Sequence, residues 1–339
     1  LKILIENNDT NAHYYINKGL ANAFNYVGHE VYLWNTWENC AFDVFNSFEP
    51  HIFIGNVHTL KVDIHKCIER RPHLKVIMKG PDFGPLSEIV AKEYPILYMN
   101  DEYLSSLKLL KEKTGKPDYV FVHYPEKYLS QTHGYYDRLD IKYMSLLNAA
   151  DLIEYSNGKF DDRLACDIGY IGGWWNYKAN NLDPYITSLC SDFSKNIKIF
   201  GNSPWPCPQY CGFLPTEKAK DLFVSAKINL NVHEPHSQKY GFDVVERPFK
   251  VCMSGGFLIS DYVEGLKDIF PAIPMGTTVD DFHNLIDYYI TRPKDRKDIS
   301  IECQKIALKN HTYFNRGKLI LNNLGFRSPE FDNIIERLR

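Results

Sequence analysis

Short apolar runs recur through the first half of the chain between stretches of helical spacing. They are KILIE (2–6), EVYLW (30–34), HIFIG (51–55), KVIMK (75–79), ILYM (96–99) and YVFVH (119–123). Each is strand-length, rich in β-branched and aromatic residues, and bounded by polar or turn-forming positions, which predicts buried β-strands. Between the first two, Ile16, Leu20, Phe24 and Val27 fall at helical spacing, with the polar NDTN before them and Gly28 after them. That is one strand–helix–strand unit, and its repetition predicts a mainly parallel sheet with helices on both faces.

The alternation resumes with DIGYIGG (167–173), IKIFG (197–201), KINLNV (227–232) and GFLIS (256–260) as strands, and with helical patterns over 216–226, 243–254, 262–269 and 279–291. The polar, turn-forming SNGKFDD places the join near residue 160. In SPEFDNIIERLR, Ser328 is an N-cap candidate, Pro329 takes the first helical position, and Phe331, Ile334, Ile335 and Leu338 share a face. This terminal helix needs a surface to cover, and the first domain can supply it. The expected fold is α/β: two Rossmann-like doubly wound domains, 1–160 and 161–322, facing a cleft, with 323–339 packing back on the first. Loops at the carboxyl ends of such sheets are where ligands bind.

A length of 339 residues fits two cores of roughly 150 residues each. Hydrophobic residues make up 44%, charged residues 24%, and the formal net charge is −3, which describes a globular chain without a global field for nucleic acid. No apolar run approaches the ~20 residues of a membrane span, and LKILIE reads as a first strand, not a signal peptide. Eight scattered Cys, several in apolar stretches, predict reduced thiols and a cytoplasmic setting. Cys207 and Cys211 with His233 and His236 have C-x3-C and H-x2-H spacings that are irregular for zinc, so no metal is expected.

The loops after the first-sheet strands place Asn8, Asp9, His13, His58, Lys79, Asp82, His123, Tyr124 and Glu126 on one rim. An acceptor hydroxyl can be held there, with Asp82 or His58 as general base; the plain alternative is that these residues cap helices and fill loops. KGPDFG is the strongest of these loops, because Lys, Asp and two Gly in a tight turn are poor packing choices. No Walker or G-x-G-x-x-G run occurs, which argues against kinase, NTPase and dinucleotide chemistry. In YIGGWWNYK, either Gly172 and Gly173 allow close approach of backbone to a ligand with Lys178 following where it can meet a phosphate, or the pair is a glycine turn capped by two aromatic packing residues. After INLNV, the loop HEPHSQKYGFD leads to a helix expected to begin near Asp243, whose free N–H groups suit an anion. Val245, Phe249, Cys252 and Met253 form its apolar stripe, and Arg247 is left beside the strand ends.

On these residues the chain resembles the C-terminal domain of GT-B glycosyltransferases, in the CgeB-like branch of the glycosyl transferases group 1 families. The resemblance rests on six ordered landmarks, DIGYIGG, IKIFG, AKINLNVHEP, ERPFKVCMSGGFLISD, LKDIF and KNHTYFNRGKLIL, between about residues 165 and 322. It implies a cytoplasmic hexosyl- or pentosyltransferase that moves a sugar from a nucleotide-diphosphate donor to a hydroxyl, with neither metal nor cofactor and with retention favoured. The acceptor is a glycan or small molecule, with hydroxylated bases of DNA as an alternative and a non-catalytic binding protein as another. The resemblance implies donor contacts from Gly172, Gly173, Lys178, Asn202, Asn229, Asn231, His233, Asp243, Arg247, Lys250, Gly255 and Gly256, with Glu234 and Arg247 at the reacting centre. It assigns the acceptor to the first domain, where Asn8, Asp9, His13, Lys79, His123 and Tyr124 are the candidates. One departure stands out: many relatives have a ribose-binding Glu where this chain has Lys250, and a second Glu where it has Phe242. An ammonium only donates hydrogen bonds, so that contact does not carry over unchanged.

Overall fold

The computed structural model describes residues 1–8, 12–80 and 101–338. The chain divides into two compact units: Leu1–Leu147 with Tyr313–Arg337, and Asn148–Thr312. The first crossing therefore precedes the SNGKFDD turn expected to mark it, and the chain returns to the first unit at Tyr313, ahead of 323.

Among the described residues, the first unit holds a six-stranded sheet in the order β2-β1-β3-β4-β5-β6. Its strands are β1 Lys2–Glu6, β2 Glu30–Trp34, β3 Ile52–Asn56, β4 Lys75–Lys79, β5 Tyr119–Val122 and β6 Tyr143–Ser145. All pairings are parallel. Inner strands β1 and β3 are buried along nearly their whole length, whereas edge strand β2 alternates exposed and partly buried positions until Trp34. That contrast is what a sheet covered on both faces demands of inner strands and relaxes at an edge. The helix Tyr313–Asn323 packs on Ala12–Tyr26, and the helix Pro329–Arg337 packs on Tyr313–Asn323. Gly317 makes this possible: a Cβ there would lie 2.7 Å from the Phe331 ring, which seats edge-on against Phe24. Pro329 opens the last helix as expected, but Ser328 serves it through its backbone carbonyl, which accepts from Phe331 N–H at 3.1 Å; its hydroxyl makes no hydrogen bond.

The second unit holds a five-stranded parallel sheet in the order β11-β10-β9-β7-β8. Its strands are β7 Cys166–Ile171, β8 Ile197–Phe200, β9 Ala226–Asn231, β10 Leu258–Asp261 and β11 Met275–Gly276. Strands β6 and β11, of three and two residues, are too short to leave a pattern in the sequence. The strand expected at 96–99 lies outside the described residues. The helix expected over 243–254 is corrected: a short helix covers Pro235–Tyr240, Gly241 ends it in the left-handed region at φ 79°, and the next helix is Arg247–Ser254. Pro248 stands in the first turn of this helix, where its missing N–H is not needed. Phe249, Cys252 and Met253 are buried as the stripe requires, while Val245 precedes the helix.

Candidate functional site

In the second unit the carboxyl ends of β7, β9 and β10 carry a polar network centred on Arg247. Its Nε donates to the Ile171 carbonyl at 3.0 Å, Nη1 to Asn231 Oδ1 at 2.7 Å and Nη2 to the Tyr170 hydroxyl at 3.2 Å. The guanidinium also stands over the Tyr170 ring, 4.5 Å from its centroid. Among the described residues no carboxylate pairs with it. A cation held this way, without a counter-charge among the described residues, has the chemistry to attract an anion. Gly172 is the reason the guanidinium fits: a Cβ there would sit 2.7 Å from Nη2. At Gly173 a Cβ would come to 3.1 Å from Oδ1 of the exposed Asn202, so both glycines and Asn202 share this rim.

Lys178, on the helix Asn176–Tyr185, is buried and donates to Glu234 Oε1 at 3.0 Å. Glu234 Oε2 is buried and has no partner. Burial opposes the charge on Glu234, but the Lys178 ammonium outweighs it and holds the carboxyl below its ordinary range. His233 is fully buried: its Nδ1 lies 2.7 Å from Asp261 Oδ1, and its backbone N–H donates to Asp261 Oδ2 at 3.0 Å. Gln238 adds a donor to the same carboxylate at 2.7 Å. Burial works against ionisation of Asp261 as well, and His233 with these donors more than compensates, so its pKa is lowered. Asp243 accepts from the Ser237 hydroxyl and lies 3.1 Å from His236 Nε2, whose Nδ1 meets the Tyr177 hydroxyl at 2.7 Å. An ionised Asp243 makes Nε2 the protonated nitrogen and Nδ1 the acceptor. His233 and His236 are thus each engaged by a carboxylate.

Four candidates fall elsewhere in this unit. Asn229 sits lower on β9 and its amide donates to the Phe223 and Phe257 carbonyls, which is a packing role. Gly255 and Gly256 follow the far end of the helix Arg247–Ser254 and precede β10, so they lie at the opposite end of the sheet from Asn231 and Asp261. Gly255 ends the helix at φ 82°, and a Cβ on Gly256 would meet the Phe223 carbonyl at 2.5 Å. Lys250 is one turn along that helix, ion-paired with Glu246 and 5.1 Å from the Tyr155 ring centroid. Burial lowers its pKa but Glu246 overcomes this, leaving it raised. The place of the expected ribose-binding Glu is occupied by half of a buried ion pair.

In the first unit a cavity lies at the carboxyl ends of β1, β3, β4 and β5. Three of the acceptor candidates line it: His13, Lys79 and His123. Lys79 Nζ is 3.1 Å from the His13 ring, and His123 Nδ1 donates to the Leu146 carbonyl at 2.7 Å. Two further residues of the cavity were not expected. Glu6, at the end of β1, accepts from Asn8 Nδ2 at 2.7 Å, from the Asn56 N–H at 2.9 Å and from the Thr59 hydroxyl. Desolvation outweighs those bonds and raises its pKa. Arg316 reaches in from the helix Tyr313–Asn323 and donates from Nε to the Leu147 carbonyl at 2.6 Å; burial pulls its guanidinium down to about 10. Asn8 borders the site through Glu6. His58 is exposed on the turn Val57–Thr59 and Tyr124 is buried against His133, so neither lines the cavity. Asp9 and Asp82 lie outside the described residues.

No helix among the described residues is long and apolar enough to cross a membrane. Residues 184–322 match the family model described as glycosyl transferase-like. No curated protein matches the sequence. Solved structures do. One is an alpha-glucosyltransferase in complex with UDP-glucose and DNA containing an abasic site, at 10% identity and TM-score 0.64, covering 96% of this chain and 99% of that one. Another is a DNA-modifying beta-glucosyltransferase, at 14% identity and TM-score 0.56, covering 98% and 100%. A third is CalG4, the calicheamicin glycosyltransferase, at 11% identity and TM-score 0.52, covering 96% and 98%. At such identities the likeness is one of fold. Residues 184–322 are therefore a glycosyl transferase-like segment in a chain with the GT-B fold, and the two findings together support a transferase enzyme.

Proposed function

We propose that the chain transfers a sugar from a nucleotide-diphosphate donor to an acceptor hydroxyl, the donor being held at the strand ends of the second unit and the acceptor at the first-unit cavity. The observation that carries the donor site is Arg247, a cation clamped by Ile171, Asn231 and Tyr170 with no carboxylate partner among the described residues. Departure of a nucleoside diphosphate builds negative charge on its oxygens, and a pre-ordered guanidinium stabilises that charge without requiring a metal. Gly172 and Gly173 keep the approach open to a diphosphate. Retention of the anomeric configuration belongs to this reading on the family resemblance.

The acceptor we favour is a glycan or a small hydroxylated molecule. Hydroxylated DNA bases are the second reading, because two of the structural neighbours act on or bind DNA by their descriptions; the net charge of −3 weighs against it. A panel of UDP-, GDP- and TDP-sugars tests the proposal. Release of free nucleotide or a thermal shift with one member is expected, and a panel that gives neither overturns it.

A further inference from the structure

The turn Asn35–Cys40, after edge strand β2, presents Trp37 to solvent with 69% of its surface exposed. An exposed Trp on a mobile loop means little, but this turn is pinned. Thr36 N–H donates to Asn8 Oδ1 at 2.7 Å, Trp37 N–H to Asn35 Oδ1 at 3.0 Å, and the Trp34 indole N–H to the Asn39 carbonyl at 3.1 Å. Glu38 N–H closes the turn on the Asn35 carbonyl, and the Lys61 ammonium stands 4.1 Å from the Trp37 ring centroid. The backbone of the turn is thereby held, and the ring, with Lys61 over one face, stands beside a groove that Thr36, Glu38, Lys61 and Asp63 also line. Thr36 lines it with its backbone N–H held by Asn8. Asn8 joins this groove to the cavity, since its Oδ1 holds Thr36 while its Nδ2 holds Glu6.

We propose that the Trp37 groove is a saccharide subsite, in which the face of a neutral sugar ring stacks on the indole face opposite Lys61 and its hydroxyls meet Glu38 and Asp63. A pyranose ring offers an apolar face of C–H groups and a rim of hydroxyls, which matches an aromatic plate edged by carboxylates. Two carboxylates against one ammonium disfavour a phosphodiester backbone, so a nucleic-acid base stacked on Trp37 is the less suited occupant. The proposal deepens the transferase reading by making the acceptor a glycan, and it rests on that reading for its role in catalysis.

The test is binding of the full chain, without donor, to an array of neutral and acidic oligosaccharides and to a short single-stranded DNA, followed by titration of the tightest saccharide. Binding to a neutral oligosaccharide is expected, about tenfold weaker in Trp37→Ala and largely restored in Trp37→Tyr. Trp37 is exposed, so its variants should melt with the wild type; if Trp37→Ala does not, the comparison is made with Trp37→Tyr and Asp63→Asn, the latter expected to weaken binding. No saccharide binding, binding indifferent to these substitutions, or Trp37-dependent binding of the DNA alone overturns the proposal. Donor hydrolysis on the same samples separates the two readings: saccharide binding without hydrolysis by any donor sinks the transferase and leaves the groove, and the reverse sinks the groove.

Discussion

Replacing Arg247 by Ala removes three hydrogen bonds at once, to Ile171, Asn231 and Tyr170, and deletes the cation. If the free guanidinium N–H groups meet a diphosphate, the loss is that of a hydrogen bond to a charged group, about 1.5–3 kcal/mol. That is a weakening of roughly 12- to 160-fold in affinity. The nucleoside, which carries no phosphate, should lose little. A separate cost falls on stability: Asn231 is fully buried, and its Oδ1 forfeits its donor, which costs about 1–3 kcal/mol. The assay is calorimetric titration of wild type and variant with whichever of UDP, GDP and TDP binds, and with the matching nucleoside, at a temperature where urea melts show both proteins folded. Arg247→Lys sharpens it, because the ammonium keeps the charge but cannot span the three acceptors, and should recover part of the affinity. An equal loss for nucleotide and nucleoside refutes the reasoning and makes Arg247 a brace for the strand ends.

Gly172→Ala should displace the guanidinium, since its Cβ would fall 2.7 Å from Nη2, and is expected to weaken diphosphate binding as Arg247→Ala does; unchanged affinity by titration contradicts the geometry. Lys250→Ala leaves the Glu246 carboxylate buried without its ion pair, so denaturant unfolding should show a loss of roughly 3–5 kcal/mol, whereas Lys250→Met with Glu246→Leu should recover most of it. Asp261 has a lowered pKa in the folded chain, so its contribution is complete above the ordinary aspartate range and is lost as pH falls through the folded value. Asp261→Asn should therefore lower stability at pH 7 and flatten the decline in acid, as read from melting temperature against pH.

Much of the fold was written in the spacing of apolar residues, because inner strands of a parallel sheet covered on both faces are mostly apolar, as in the ILI of β1 and the IFI of β3. Short edge strands leave no such record. The helix start was misplaced because DVVE has helix-compatible spacing yet stays outside the helix, which opens at Arg247 with Pro248 in its first turn. Two contacts among the expected residues match what their types suggest, Arg247 with Asn231 and Lys178 with Glu234. Asn229 and the Gly255–Gly256 pair were near in sequence but belong to the other end of the sheet. Glu6 and Asp261 were missed although each closes an apolar strand, and a rule that reads strand ends could have found them. Arg316 could not have been found that way, for nothing in its local sequence connects it to β1 or β4.

The division of the chain has a consequence for the order in which the protein is made. Residues 148–312 form one continuous unit, complete as soon as they have been synthesised, whereas the first unit draws Arg316, Phe314 and Phe331 from 313–337. Until those residues emerge, Phe24 lacks the ring it packs against, and the cavity lacks its guanidinium. The half that begins first during translation is thus the half that finishes last, with its apolar helix face uncovered in the interval.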